Sequence, residues 1–238
     1  MKLDILAIGA HPDDVEISAG GSLIKQISLG CKAGVLDLTR GEMGTRGTPV
    51  IRDKESLDAA NIMGLSWRGN AKLKDGFIEN DKDHQLLIIP YIRHFKPEII
   101  LCNAPHDRHP DHRKAASLIQ DVCFLSGLNK IETKWAEKPQ SPWRPSKLLF
   151  YIQYFYLKPD IVVDITDFHS KKMKAIKAHK SQFYDADSKE PETLISDKRF
   201  LEKIEARDQE FGRCINVSYA EGFQSFKTLG VKNLMDLV

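Results

Sequence analysis

Short apolar runs alternate with amphipathic stretches along the first half of the chain. Residues 3–9 and 33–38 have the length and composition of buried strands, and the apolar side chains of residues 18–29 fall on one face of a helix. Strands that alternate with helices form a parallel sheet that is covered on both faces. The pattern therefore predicts an α/β fold with a mostly parallel sheet.

The remaining segments extend this pattern. It predicts strands at residues 98–102, 148–156 and 161–165, and helices at residues 51–63, 86–95, 171–182 and 196–211, the last two being polar surface helices. Residues 137–145 contain three prolines, which favours a loop or a lid. No repeat or linker divides the chain, so we predict a single domain over residues 1–238.

Composition excludes several function classes. The chain has 35 basic and 33 acidic residues, a net charge of +2 that gives no support for nucleic-acid binding. No segment approaches the roughly 20 apolar residues needed to cross a bilayer. The four cysteines are widely spread, which argues against a disulfide framework or a thiolate zinc site and favours free buried thiols. We expect a cytoplasmic protein without nucleic-acid or membrane partners.

Two motifs rich in histidine and aspartate follow predicted strands. His11-Pro12-Asp13-Asp14 comes directly after the first strand, and His109-Pro110-Asp111-His112 comes shortly after the strand at residues 98–102. Ligands of open α/β sheets bind beyond the carboxyl ends of the strands. If the two strands are neighbours, both motifs face the same crevice.

The residue types in these motifs can build a hydrolytic metal site. His11, Asp14 and His112 offer three ligands, the number that a catalytic zinc ion takes while it keeps one position for water. A bound zinc ion lowers the pKa of that water to about 7. Such a site also accepts Fe²⁺, Mn²⁺ or Co²⁺.

The other motif residues are candidates for acid–base chemistry. Asp13 can take the proton of the water, and His109 can stabilise the oxyanion or protonate the leaving amine. Asp111 is expected to hold the His109 ring and raise its pKa. The alternative is structural. Asp13 or Asp14 would cap the first helix, and Asp111 would cap a helix that begins at residue 113.

The paired motifs resemble the signature of the LmbE-like, or PIG-L, N-acetylglucosaminyl deacetylases. Residues 38–48, 179–183 and 219–223 extend the similarity, most closely to the N-acetylglucosaminyl-malate deacetylases of bacillithiol biosynthesis. The resemblance implies a Rossmann-like three-layer fold with one Zn²⁺ per chain. It assigns the same roles to the six motif residues, His11, Asp13, Asp14, His109, Asp111 and His112. It also implies a homo-hexamer, with residues 219–223 and the C-terminal tail as contacts.

The resemblance also suggests substrate-binding residues. The family's substrate-orienting arginine falls on Arg52, and Arg108 can act likewise, although an exposed surface arginine is the alternative for each. Related mycothiol enzymes have a tyrosine at the position of Asp107, which leaves the oxyanion to zinc, His109 or another tyrosine such as Tyr184. The Gly/Thr-rich loop at residues 39–48 lacks phosphate-binding patterns and is predicted to form a substrate-side wall.

Three functions follow from this sequence. The first is a zinc-dependent deacetylase of an N-acetylglucosamine conjugate, with malate as the expected aglycone. The second is a metal-dependent deacetylase of another N-acetyl amino sugar or a chitooligosaccharide. The third is an inactive sugar-binding protein, which the complete set of ligands and acid–base groups argues against.

Overall fold

The computed structural model of the protein describes residues 1–237. Seven strands form one sheet in the order β3-β2-β1-β4-β7-β9-β8. The strands of this sheet are β1 (Ile5–Gly9), β2 (Ala33–Asp37), β3 (Trp67–Asn70), β4 (Ile99–Asn103), β7 (Lys147–Tyr151), β8 (Ile161–Asp164) and β9 (Ala220–Ser225). The first five strands of the order are parallel, and β9 runs antiparallel to both of its neighbours. The predicted domain, residues 1–238, extends one residue beyond the described range.

Six helices surround this sheet in the described part of the chain. They are α1 (Asp14–Ser28), α2 (Pro49–Met63), α3 (Lys82–Phe95), α4 (Pro110–Leu125), α5 (His169–Lys177) and α6 (Phe200–Arg213). Helices α1, α2 and α5 pack together over one apolar core, and α3 and α4 pack together over another. The α/β three-layer prediction is therefore confirmed. None of these helices is both long and apolar enough to traverse a membrane.

Two strands of the seven-stranded sheet were not predicted. Strand β3 lies at the edge of the sheet and is only half-buried, so its sequence contains no apolar run. In β9, Glu221 and Gly222 interrupt the apolar pattern. Helix α4 begins inside the second motif, with His109 as its N-cap residue. His109 Nδ1 accepts the Asp111 N–H at 3.2 Å, and no side-chain cap bond forms at Asp13. Asp13 is the N-cap residue of α1 by position, but its side chain accepts no cap bond, and Asp111 is not the N-cap residue of α4.

The proline-rich segment is not a lid over the motifs. It contains β6 (Lys138–Pro139), which pairs with β5 (Lys134–Trp135) in a separate two-stranded sheet. Trp143 Nε1 donates to the Pro97 carbonyl at 2.8 Å. Pro97 precedes β4, so the segment lies at the end of the sheet opposite the motifs.

The prediction of α5 and α6 as polar surface helices is also wrong in part. Lys172 of α5 and Asp208 of α6 are fully buried and form an ion pair, and Lys172 Nζ lies 2.9 Å from Glu221 Oε1. Glu221 in turn accepts the N–H groups of Gly21 and Ser22 at 2.9 and 2.7 Å. Residues 220–223 are buried within the sheet of their own chain and Tyr219 is half-buried, while the oligomer contact expected at residues 219–223 stays a prediction.

The cysteines are free thiols, as expected, but only two are buried. Cys102 and Cys123 lie in the core, Cys31 is partly exposed and Cys214 is exposed.

Gly21 lets α1 approach the sheet. A Cβ at this position would lie 2.7–3.0 Å from three side-chain atoms of Ile165, including its Cβ, whereas the nearest atom to a Cβ on Gly20 would be Lys172 Cγ at 3.5 Å, an ordinary contact distance. Real Cβ atoms do not approach a branched side chain that closely. Close packing therefore requires glycine at position 21 but not at position 20.

We expect Gly21→Ala to lower the free energy of unfolding by about 1–3 kcal/mol, because the added methyl group overpacks the core. Gly20→Ala is the matched control. It should be neutral or stabilising, since alanine is favoured over glycine within a helix by about 1 kcal/mol. Urea unfolding of both variants measures the difference, and equal effects would contradict the packing argument.

Candidate active site at the carboxyl ends of β1 and β4

The two motifs meet because β1 and β4 are adjacent parallel strands. Ile8 pairs with Cys102, so both strands end at the same edge of the sheet. The ring centroids of His11 and His109 are 4.6 Å apart, and those of His11 and His112 are 5.4 Å apart. Both motifs line a cavity of about 830 Å³. The expectation that they share one crevice is correct.

Asp14 lies between two imidazoles at the floor of this cavity. Its Oδ2 is 3.6 Å from His11 Nδ1, and its Oδ1 is 3.2 Å from His112 Nε2. Asn103 donates to Oδ2 at 3.1 Å and Gln153 donates to Oδ1 at 2.7 Å. The two amides fix the carboxylate while each of its oxygens faces a histidine nitrogen.

This donor set suits a divalent cation. Imidazole nitrogens and a carboxylate oxygen are the ligands of catalytic zinc and of related metals. The predicted ligands His11, Asp14 and His112 are therefore brought together by the fold. A nitrogen of His109 also lies within 4.8 Å of ligand nitrogens of the other two histidines, so the cluster contains a fourth candidate.

Asp107 orients one of these histidines. Its Oδ1 lies 2.9 Å from His112 Nδ1, and its Oδ2 accepts the Tyr154 N–H at 3.0 Å. Burial opposes ionisation, but the hydrogen bond to His112 holds the pKa of Asp107 below its usual value. A carboxylate on the far nitrogen of a metal-binding imidazole fixes its tautomer. The residue that replaces the tyrosine of the mycothiol enzymes thus supports His112.

Asp111 does not hold the His109 ring as expected. Its Oδ2 accepts the Gly76 N–H at 2.7 Å and lies 3.2 Å from His11 Nε2. Only the Asp111 backbone reaches His109. Burial, reinforced by the charges of His11 and His112, lowers the pKa of His109 to about 4 instead of raising it. His109 is therefore neutral near pH 7.

Asp13 has the features of a functional carboxylate. It is buried, it lines the cavity, and its φ of 116° is a strained conformation for a residue other than glycine. Burial raises its pKa to about 6, against the opposing charge of Arg52. A general base that works near neutral pH needs a pKa in this range.

Arg52 and Arg108 both line the cavity but differ in environment. Arg52 is buried and donates to the carbonyls of Gly41 and Pro12 at 2.9 and 2.8 Å, with Asp13 Oδ2 at 3.4 Å. Its guanidinium is thus hydrogen-bonded to the backbone and lies next to the candidate base, Asp13. Arg108 is exposed and lies 5.1 Å from the centre of the Tyr154 ring, where its charge faces the cavity.

The candidate Tyr184 and two further histidines lie outside the cluster. Tyr184 is 48% exposed and is not part of the cavity wall, whereas Tyr154 is. His179 is buried against Glu16, with its Nε2 3.1 Å from Glu16 Oε1. His106 is exposed and stacks on Phe155.

Both polar and apolar residues outside the motifs line the cavity. Met43 and Gly44 of the loop at residues 39–48 line it, in agreement with the predicted substrate-side wall. Apolar side chains also line the cavity: Ile17 and four residues of α6 and the segment before it, Leu194, Ile195, Phe200 and Ile204.

Three residues that contact the motif residues were missed in the sequence: Asn103 and Gln153, which donate to Asp14, and Asp75, whose Oδ1 lies 3.0 Å from His11 Nε2. Asn103 ends β4 and Gln153 lies two residues after β7, inside the strand predicted at residues 148–156. A polar residue at the carboxyl end of a buried strand is a usable signal. Asp75 lies in a loop without a recognisable pattern, so only the fold reveals it.

A histidine–carboxylate cluster at the carboxyl edge of a parallel sheet, next to a buried carboxylate of raised pKa, defines a class of α/β proteins with a candidate hydrolytic centre. The family model described as GlcNAc-PI de-N-acetylase (PIG-L) matches residues 6–123. The chain belongs to this PIG-L/LmbE family, as the motifs indicated.

Similarities to individual proteins support this family membership. The chain is 30% identical over 189 residues to diacetylchitobiose deacetylase of Thermococcus kodakarensis, covering 75% of this chain and 70% of the relative. It is 28% identical to a protein of Bacillus subtilis described as probable N-acetyl-alpha-D-glucosaminyl L-malate deacetylase 2, covering 76% and 84%. The crystal structure of the conserved protein TT1542 from Thermus thermophilus superposes with a TM-score of 0.85 at 34% identity, covering 97% and 98%.

We expect Arg52→Met to raise the pKa of Asp13 above about 6, because the guanidinium is the largest of the positive charges that oppose the effect of burial. The carboxyl ¹³C NMR signal of Asp13, assigned with Asp13→Asn and followed through a pH titration of the metal-free protein, measures the shift. Arg40→Met is the matched control, since Arg40 pairs with the half-exposed Asp53. An unchanged titration in Arg52→Met would contradict the coupling.

Proposed function

We propose that the protein is a metal-dependent deacetylase that hydrolyses the N-acetyl group of an N-acetylglucosamine conjugate. The observation that supports this most is the position of Asp14 between His11 Nδ1 and His112 Nε2, with Asp13 lining the same cavity. Family membership supports the reaction class. An inactive binding protein would not need a buried, strained carboxylate next to the donor set.

The motif residues can divide the reaction among them. A divalent cation held by His11, Asp14 and His112 would polarise the amide carbonyl and acidify a water molecule. Asp13 takes the proton from the attacking water as the carbonyl carbon becomes tetrahedral. The same carboxyl group then returns the proton to the amine nitrogen as the C–N bond breaks, which releases acetate and the free amino sugar.

His109 is better suited to the oxyanion than to proton donation. Its Nδ1 accepts the Asp111 N–H, so in the neutral ring the proton is on Nε2. That N–H can donate to the oxygen that becomes negative in the tetrahedral intermediate. A neutral imidazole with a pKa of about 4 is a poor general acid near pH 7, which leaves that task to Asp13.

For the substrate, we propose N-acetylglucosaminyl-malate. The similarity to the Bacillus subtilis relative supports this choice, and Arg108 and Lys203 supply exposed positive charge on the cavity wall for a dicarboxylate. The second candidate is a neutral chitooligosaccharide, which the similarity to the Thermococcus kodakarensis relative supports. Zinc as the metal, the homo-hexamer and the cytoplasmic location stay predictions.

We expect Asp13→Asn to keep bound metal and to lower kcat by about 100-fold or more, because general-base catalysis typically contributes 10²–10⁴-fold. Asp53→Asn, at the half-exposed partner of Arg40, is the matched control and should keep wild-type activity. Metal content by elemental analysis and amine release are measured on the same samples. Full activity of Asp13→Asn would contradict the assignment of the base.

Amine release from N-acetylglucosaminyl-malate, diacetylchitobiose and free N-acetylglucosamine, with metal-free and zinc-reconstituted protein, tests the function itself. We expect zinc-dependent release that is fastest with the malate conjugate. Faster release from diacetylchitobiose would transfer the proposal to the second candidate. No release from any of the three by metal-loaded protein would overturn the deacetylase assignment.

A further inference from the structure

Asp75 faces the metal-binding histidine from a loop that neither motif includes. Its Oδ1 lies 3.0 Å from His11 Nε2, on the opposite side of the ring from the nitrogen that faces Asp14. The side chains of both residues are largely buried, and Asp75 lines the cavity. A carboxylate in this position accepts a hydrogen bond from the ring when Nε2 is protonated.

Two carboxylates converge on this one nitrogen. Asp111 Oδ2 lies 3.2 Å from His11 Nε2, beside Asp75. Each carboxylate is held by backbone donors, since Gly76 N–H binds Asp111 at 2.7 Å and Met43 N–H binds Asp75 Oδ2 at 2.8 Å. The acceptors are thus fixed by the backbone before any ion binds.

We propose that Asp75 is a positioning residue for the metal ligand: together with Asp111 it keeps the proton of His11 on Nε2 and so presents Nδ1, next to Asp14, to the cation. The inference rests on the metal centre of the proposed function. It adds that the affinity of this centre depends on a residue outside both motifs.

The same contacts link the metal ligand to the substrate-side wall. Asp75 N–H donates to Glu42 Oε1 at 2.9 Å, and the Asp75 side chain accepts from Met43, which lines the cavity. Gly76 follows with a φ of 79°, a conformation that glycine adopts readily, and this turn directs its N–H to Asp111. The loop at residues 39–48 and the orientation of His11 are therefore coupled through Asp75.

Zinc affinity, measured by chelator competition without substrate, tests the inference independently of deacetylase activity. We expect Asp75→Asn to bind zinc 10–100-fold more weakly, the loss typical of removing a carboxylate behind a metal-binding histidine, and Asp75→Glu to recover part of it. Asp53→Asn is the matched control and should bind as the wild type does. Zinc affinity of Asp75→Asn within twofold of the wild type would overturn the proposal.

A second measurement needs no variant and so does not depend on folding. In ¹H–¹⁵N spectra of the zinc-loaded wild-type protein, we expect the proton of His11 on Nε2 and zinc on Nδ1. A proton on Nδ1 would overturn the proposal. Deacetylase activity is measured on the same sample, and its absence with the expected tautomer would reject the proposed function while leaving the role of Asp75 intact.

Discussion

The carboxylate of Asp14, shared between two imidazoles, is the interaction on which the candidate site depends. It forms only because β1 and β4 are adjacent and parallel, so that residues about 100 positions apart meet at one edge of the sheet. A buried carboxylate is costly unless charges and donors surround it. His11, His112, Asn103 and Gln153 meet that requirement, and the resulting set is also what a divalent cation needs.

Buried charges in the second half of the chain hold one of these donors, Gln153, in place. Arg207 donates to the Gln153 carbonyl at 2.9 Å and to Asp208 at 3.1 Å. Asp208 is paired in turn with the fully buried Lys172. The residue that donates to Asp14 is thus held by an ion-pair network from α5 and α6, which is why these helices are not simply polar surface elements.

Much of the fold and of the candidate site could be predicted from the sequence. The features that could not be predicted depend on contacts between distant parts of the chain. The apolar runs and the two motifs indicate the parallel sheet and the shared crevice, because those signals are local. The environments of Asp111 and Asp75 could not be predicted, since both depend on backbone N–H groups presented by distant loops. Strand β9 was missed because its buried Glu221 is stabilised by α1 and α5, which no local pattern shows.

We propose that Asp14 and its two histidines form the metal centre. The most direct test is a crystal structure of the zinc-loaded protein with anomalous data collected at the zinc edge. We expect one zinc ion about 2.0–2.2 Å from His11 Nδ1, an oxygen of Asp14 and His112 Nε2, with Asp13 free to face the cavity. Zinc bound by three histidines with Asp14 outside the coordination sphere, or bound at His11 Nε2, would contradict it.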